Sequence, residues 1–149
     1  MNITHHMRRE NSGLMQTTLE LAEEEQRQGH GIRMQEPSVL APLMETFEGK
    51  PDVHCIHSQL APATYHDGVP KLMWMHGEPL GSVGNGISMR AIVDLAPTCE
   101  AFICMRKEEW PVWNAIRRTY IVTKGIDLER YKLLDPAPPK LNGSPAVLY

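Results

Sequence analysis

The chain has no paired-cysteine spacing, no long apolar run and no large excess of charge of either sign. Its three cysteines, Cys55, Cys99 and Cys104, form no CxxC pair, and their odd number excludes a fully paired disulfide framework. Cys55 and Cys104 fall in apolar runs, where a free thiol behaves as a small hydrophobe. Fifteen basic residues against 18 acidic ones leave a net charge of -3, which argues against a nucleic-acid surface. No apolar run approaches the roughly 20 residues that span a bilayer. Residues 1–9 lack the apolar centre of a signal peptide, so a cytoplasmic location without a transmembrane segment is expected. There is no GxGxxG fingerprint, no Walker loop, no HExxH and no evident Ser-His-Asp or Cys-His set. Seven histidines are present, but His5 and His6 are adjacent and His54 and His57 are three apart. On strands, both spacings send the two rings to opposite faces, so no metal site is expected.

What is present is a regular alternation of strand and helix patterns over 149 residues, a length that suits one core. The spacing predicts strands over 2–7, 30–35, 52–57, 71–75, 101–105 and 119–122. It predicts helices over 14–28, 87–96 and 108–116, with Pro111 confined to the first turn of the last. A shorter helical stretch is expected over 40–47. On the first helix Leu14, Thr18, Leu21, Ala22 and Glu25 form one stripe, in which only Glu25 is a charged residue. Asn11 or Ser12 can cap its start, and Gly29 is placed to end it in a left-handed conformation. The expected fold is a three-layer α/β Rossmann-like domain with a mainly parallel sheet of about six strands and helices on both faces.

Four segments could carry chemistry. Lys71-Leu-Met-Trp-Met-His76-Gly77-Glu78-Pro79 is a continuous apolar run ending in a histidine, as expected of a buried parallel strand. Its carboxyl end is where open α/β sheets place ligands, so His76 is a candidate to bind a hydroxyl or act as a base. Gly77 and Glu78 follow it, although Glu78 also fits a solvated loop acid. Asn11-Ser12-Gly13 precedes the first helix, where backbone N–H groups can hold an anion, or simply cap a turn. His57 ends the 52–57 strand and reaches the same crevice if the strands are neighbours; a structural role suits it equally. His54 receives no role. Gly125 and Asp127 follow the last strand and fit a turn at the domain edge.

Taken in order, these segments resemble the N-terminal domain of GT-B-fold glycosyltransferases, particularly family 4. The resemblance rests on Ser12-Gly13 after the first strand, and on a helix ending in Leu-x-x-x-Gly-His-like residues 22–30. It continues with Pro51-Asp52-Val53 leading to His57, with Leu72 to Gly77 ending in His-Gly, and with residues 102–108. Residues 122–131 match Val-x-x-Asn-Gly-Val-Asp, with Lys124 replacing the asparagine. A single glycine follows Ser12 where the family has a pair, and the segment 37–51 is short for the family.

The resemblance implies that His76 contacts the transferred sugar and supports catalysis. Ser12, Gly13, His57, Gly77 and Glu78 would bind substrate, with Gly125 and Asp127 at the interdomain edge. It implies a nucleotide-sugar donor, used as substrate rather than cofactor, and an acceptor. Residues 1–134 would be the acceptor-side domain. Residues 135–149 would be an interdomain linker and the first strand of a missing C-terminal Rossmann domain. Half of a two-domain site would have little activity alone. The rival expectation is a noncatalytic Rossmann-like protein-binding module, self-associating through the C-terminal strand. A third is a metal-dependent hydrolase, which requires stoichiometric metal.

Overall fold

The computed structural model describes residues 1–8, 13–57, 60–76 and 89–123. Among the described residues, seven strands form one sheet in the order β3-β2-β1-β4-β5-β6-β7. They are β1 (Asn2–His6), β2 (Gly31–Gln35), β3 (Met44–Glu45), β4 (Val53–Ile56), β5 (Lys71–Met75), β6 (Ala101–Cys104) and β7 (Thr119–Ile121). All neighbouring pairs are parallel except β2 with β3, which is antiparallel. The helices are α1 (Gly13–Arg27), α2 (Met89–Leu95) and α3 (Trp110–Ile116). A 3-10 turn at Ala61–Thr64 lies between β4 and β5, and another at Ala96–Thr98 follows α2.

The register explains the two cores. Ile3 is level with Ile32 and Val53, and His5 is level with Met34 and Cys55. With Met7 these residues share one face, where Ala22 of α1 packs and Met15, Leu19, Leu72 and Trp74 add partly buried surface. The intervening residues supply the other face. There Ile56, Met73, Met75, Phe102 and Cys104 pack against Ile92 of α2 and Trp113 of α3. Helices therefore cover both faces, and the chain is the expected three-layer Rossmann-like α/β fold.

Helix α1 ends as its sequence requires. Gly29 adopts φ 87°, its N–H bonds the Gln26 carbonyl at 3.0 Å, and the His30 N–H bonds the Glu25 carbonyl at 3.1 Å. This pair of bonds is the Schellman arrangement, which needs a residue tolerant of positive φ at the first position beyond the helix. Pro111 lies in the first turn of α3, where its missing N–H costs nothing.

Two expectations are corrected. The stretch 40–47 is not helical; it contains β3, which raises the strand count from about six to seven. Leu40, Leu43, Met44 and Phe47 have helical spacing, but Pro42 interrupts the stretch and sheet partners are at hand. The Leu43 N–H bonds the Met34 carbonyl at 2.8 Å, and the Thr46 N–H bonds the Ile32 carbonyl at 2.8 Å. The Thr46 hydroxyl accepts from the Ile32 N–H at 2.7 Å, and Arg33 pairs with Glu45 while lying 4.4 Å over the Phe47 ring. His54, to which the sequence assigns no role, lies on β4. It is buried and joins two other side chains, as described below.

Candidate functional site

The sheet order places β1 between β2 and β4. From β1 the chain steps first to β2 on one side and later to β4 on the other. The gap between β1 and β4 is therefore the topological switch point, outside whose carboxyl ends such sheets bind ligands. His6 and Ile56 close those two strands, and His57 follows directly, its N–H bonded to the His6 carbonyl at 3.0 Å. His76 follows the last residue of the adjacent β5.

On the α1 face, four side chains form a continuous hydrogen-bonded chain. The Glu25 carboxylate lies 2.7 Å from His5 Nε2. His5 Nδ1 lies 3.0 Å from His57 Nε2, and His57 Nδ1 lies 2.9 Å from His76 Nε2. Trp74 forms a lid on these rings, stacked on His57 at 5.3 Å between centroids and on His76 at 6.1 Å. Strand alternation produces this. His5, His57, Trp74 and His76 all occupy the same face once β1, β4 and β5 pair in register.

The rings differ in burial. His5 and His57 are buried, whereas His76 is partly exposed and Glu25 has 19% of its side chain accessible. Burial, then the neighbouring charges of His5, His76 and His6, pushes the His57 imidazole well below its ordinary pKa. It is therefore a neutral connector. Both of its nitrogens are engaged by histidines, so its position is behind His76 rather than beside it.

A second set occupies the opposite face. His54 Nε2 lies 2.7 Å from the Asp67 carboxylate, and His54 Nδ1 lies 2.8 Å from His6 Nε2. Tyr65 meets both rings edge-on at 5.8 Å. Burial, reinforced by the charges of His54 and His5, pushes His6 down to about 3. Its Nδ1 is buried without a hydrogen-bond partner among the described residues. For Asp67, burial opposes ionisation. The bonds from His54 and the Val69 N–H and the charges of His54 and Lys71 outweigh it and bring the carboxyl to about 2.

Of the sequence-derived site residues, the structure brings His57 and His76 together. Gly13 is the exposed first residue of α1. Ser12, Gly77, Glu78, Gly125 and Asp127 lie outside the described residues, as does the whole of 135–149. Sequence reasoning missed Glu25, His5, His6, His54 and Asp67. Glu25 had a signal: it was the one charged residue on an otherwise uncharged helical stripe. Among the described residues, no group of three His, Cys, Asp or Glu side chains is arranged to hold a metal ion. Nor is any described helix long and apolar enough to cross a membrane.

The fold and the position of this cluster define the class: a Rossmann-like α/β domain with titratable side chains at its switch point. No family model matches the chain, and no curated protein matches it closely enough to serve as a relative.

Proposed function

We propose that the chain is the acceptor-side, N-terminal half of a GT-B-fold glycosyltransferase that moves a sugar from a nucleotide-sugar donor to an acceptor. The observation that carries this reading is His76. It sits directly beyond β5, one strand from the switch point, with its Nε2 anchored by a buried histidine and its ring stacked on Trp74. A ring held in this way presents a fixed edge to a hydroxyl-rich ligand, and hydrogen bonding to a sugar needs that orientation. The sequence adds the Ser12-Gly13 and His76-Gly77 motifs in the order the family has them.

In this reading His76 contacts the transferred sugar. Gly13, without a side chain, allows the donor phosphate to approach the start of α1. The donor's diphosphate would be held largely by a second domain, so the 149 residues alone would turn over little sugar nucleotide. The test is an assay of nucleoside diphosphate release, run over a panel of nucleotide sugars, on the chain joined to a donor-binding domain. Release dependent on acceptor is expected, with His76→Ala lowering kcat/KM by roughly 100-fold or more. Absence of release with every donor would overturn the reading. Turnover by the isolated chain at ordinary enzymatic rates would overturn the half-site.

A further inference from the structure

Two buried polar atoms on β1, Thr4 Oγ1 and His6 Nδ1, have no hydrogen-bond partner among the described residues. Each residue is only 1% exposed. They occupy alternate positions of one strand, so both side chains leave the same face of the sheet. It is the face opposite the one on which α1 packs with Ile3 and Met7.

The described neighbours on that face are engaged elsewhere. Arg33, level with Thr4 on β2, pairs with Glu45. His54, level with Thr4 on β4, commits its two ring nitrogens to His6 and Asp67. Lys71, level with His54 on β5, donates to the Val69 carbonyl at 3.2 Å. Gln35 stands level with His6 on β2 and makes no hydrogen bond to its Nδ1. Ile56, level with His6 on β4, has no polar atom in its side chain. Nor can His6 satisfy itself by turning. Its Nε2 lies 2.8 Å from His54 Nδ1, and a half-turn of the ring would put a carbon there.

A buried polar atom without a partner is destabilising, and in folded chains ordered water commonly serves such atoms. Two residues along a strand rise about 6.6 Å. That separation suits two hydrogen bonds of about 2.8 Å in series better than one. We infer that Thr4 Oγ1 and His6 Nδ1 together hold one buried water molecule, on the face of β1 opposite the Glu25, His5, His57 and His76 chain.

The chemistry of the two atoms selects water. Burial keeps the His6 ring uncharged down to about pH 3, so it carries one N–H and one lone pair. Water donates and accepts, so it serves Nδ1 whichever of the two stands there. The Thr4 hydroxyl has the same freedom. Exposure of 1% closes both atoms to anything much larger. The water would carry the Asp67, His54 and His6 chain of bonds on to Thr4. None of this depends on the proposed glycosyl transfer.

The test is oxygen-17 relaxation dispersion of water in solutions of the 149-residue chain, which detects water held for long times inside a protein. The wild type should show long-lived water, and Thr4→Val should show one molecule fewer. Valine keeps the shape of threonine and removes the hydroxyl. Its urea midpoint should fall, because the departing water leaves His6 Nδ1 bare. Thr4→Ser retains a hydroxyl and should keep the wild-type count. An unchanged dispersion in Thr4→Val would overturn the inference. So would an unchanged or raised urea midpoint in that variant, the outcome for a hydroxyl that serves nothing. A wild type without long-lived water would overturn it as well, and that result needs no variant to fold.

Discussion

His5 and His6 are consecutive on β1, yet His5 bonds Glu25 of α1 on one face of the sheet and His6 bonds His54 on the other. Both rings are buried, and neither chain of bonds shares a hydrogen bond with the other. The dipeptide therefore anchors two polar networks, and each leads to its own carboxylate.

Acid should weaken the fold over two overlapping windows. His6 and His57 hold protons less readily when folded than the ordinary 6.5, His6 at about 3 and His57 well below 6.5. Below 6.5 the unfolded chain binds more protons, so stability is retained above that pH and declines as pH falls. The slope is about 1.4 kcal/mol per pH unit for each ring. Asp67 is lowered from 3.8 to about 2, so its contribution is present above 3.8 and disappears as pH falls towards 2. Urea unfolding at a series of pH values measures both. A flat profile between pH 7 and 5 would refute the first window.

Replacing His57 should cost more than replacing His76. His57→Ala removes a buried ring stacked on Trp74 and strips the partner from His5 Nδ1. A loss of about 2–4 kcal/mol is expected from the cavity and the unpaired nitrogen. His76 is only partly buried, so His76→Ala should lose less than half as much. Urea midpoints with unchanged slopes check the comparison, and equal losses would contradict it.

Trp113 tests the α2 and α3 face. It is fully buried and meets Phe102 edge-on at 6.3 Å. Trp113→Ala should cost about 3–5 kcal/mol. Its indole N–H has no partner among the described residues. Trp113→Phe removes that donor along with some volume, so it should cost well under half of the alanine variant in the same denaturant assay. A phenylalanine variant as unstable as alanine would show that indole volume decides.

The thiols should be silent until the chain unfolds. Cys55, Cys99 and Cys104 are free and buried, and burial raises all three. Only the thiolate reacts, so alkylation at pH 8 should be slower than in urea by roughly 100-fold or more. Mass spectrometry of the quenched reaction counts the modified sites. Rapid labelling of Cys55 in the native chain would contradict its placement between α1 and the sheet.

The centre of the sheet was legible in the sequence because β4 and β6 are buried along their whole length and read as short, largely apolar runs. Lys71–Met75 has the same bounds in the sequence reading and the structure. Strand β3 was not legible, because Leu40, Leu43, Met44 and Phe47 mimic a helical stripe. What decides against a helix is the hydrogen-bonding edge offered by β2, which pairs Met34 with Met44 and Arg33 with Glu45. The pairing of His5 with His57 spans 52 residues and exists only once the β1 and β4 register is set. Periodicity could place each ring on a face but could not say which rings become neighbours. His54 was passed over for the same reason: its partners, His6 and Asp67, come from two other segments.

Glu25 has a second attachment. Its carbonyl accepts the His30 N–H that closes α1 beside Gly29, while its side chain holds His5. Helix ends fray on fast timescales and at small free-energy cost. Each opening of this last turn would withdraw the carboxylate from His5 and strip a buried ring of that partner. The thermal stability of one helical turn would then set the fraction of time for which the His5, His57 and His76 rings are held in line, and a substitution at Gly29 would act as a dial on the cluster.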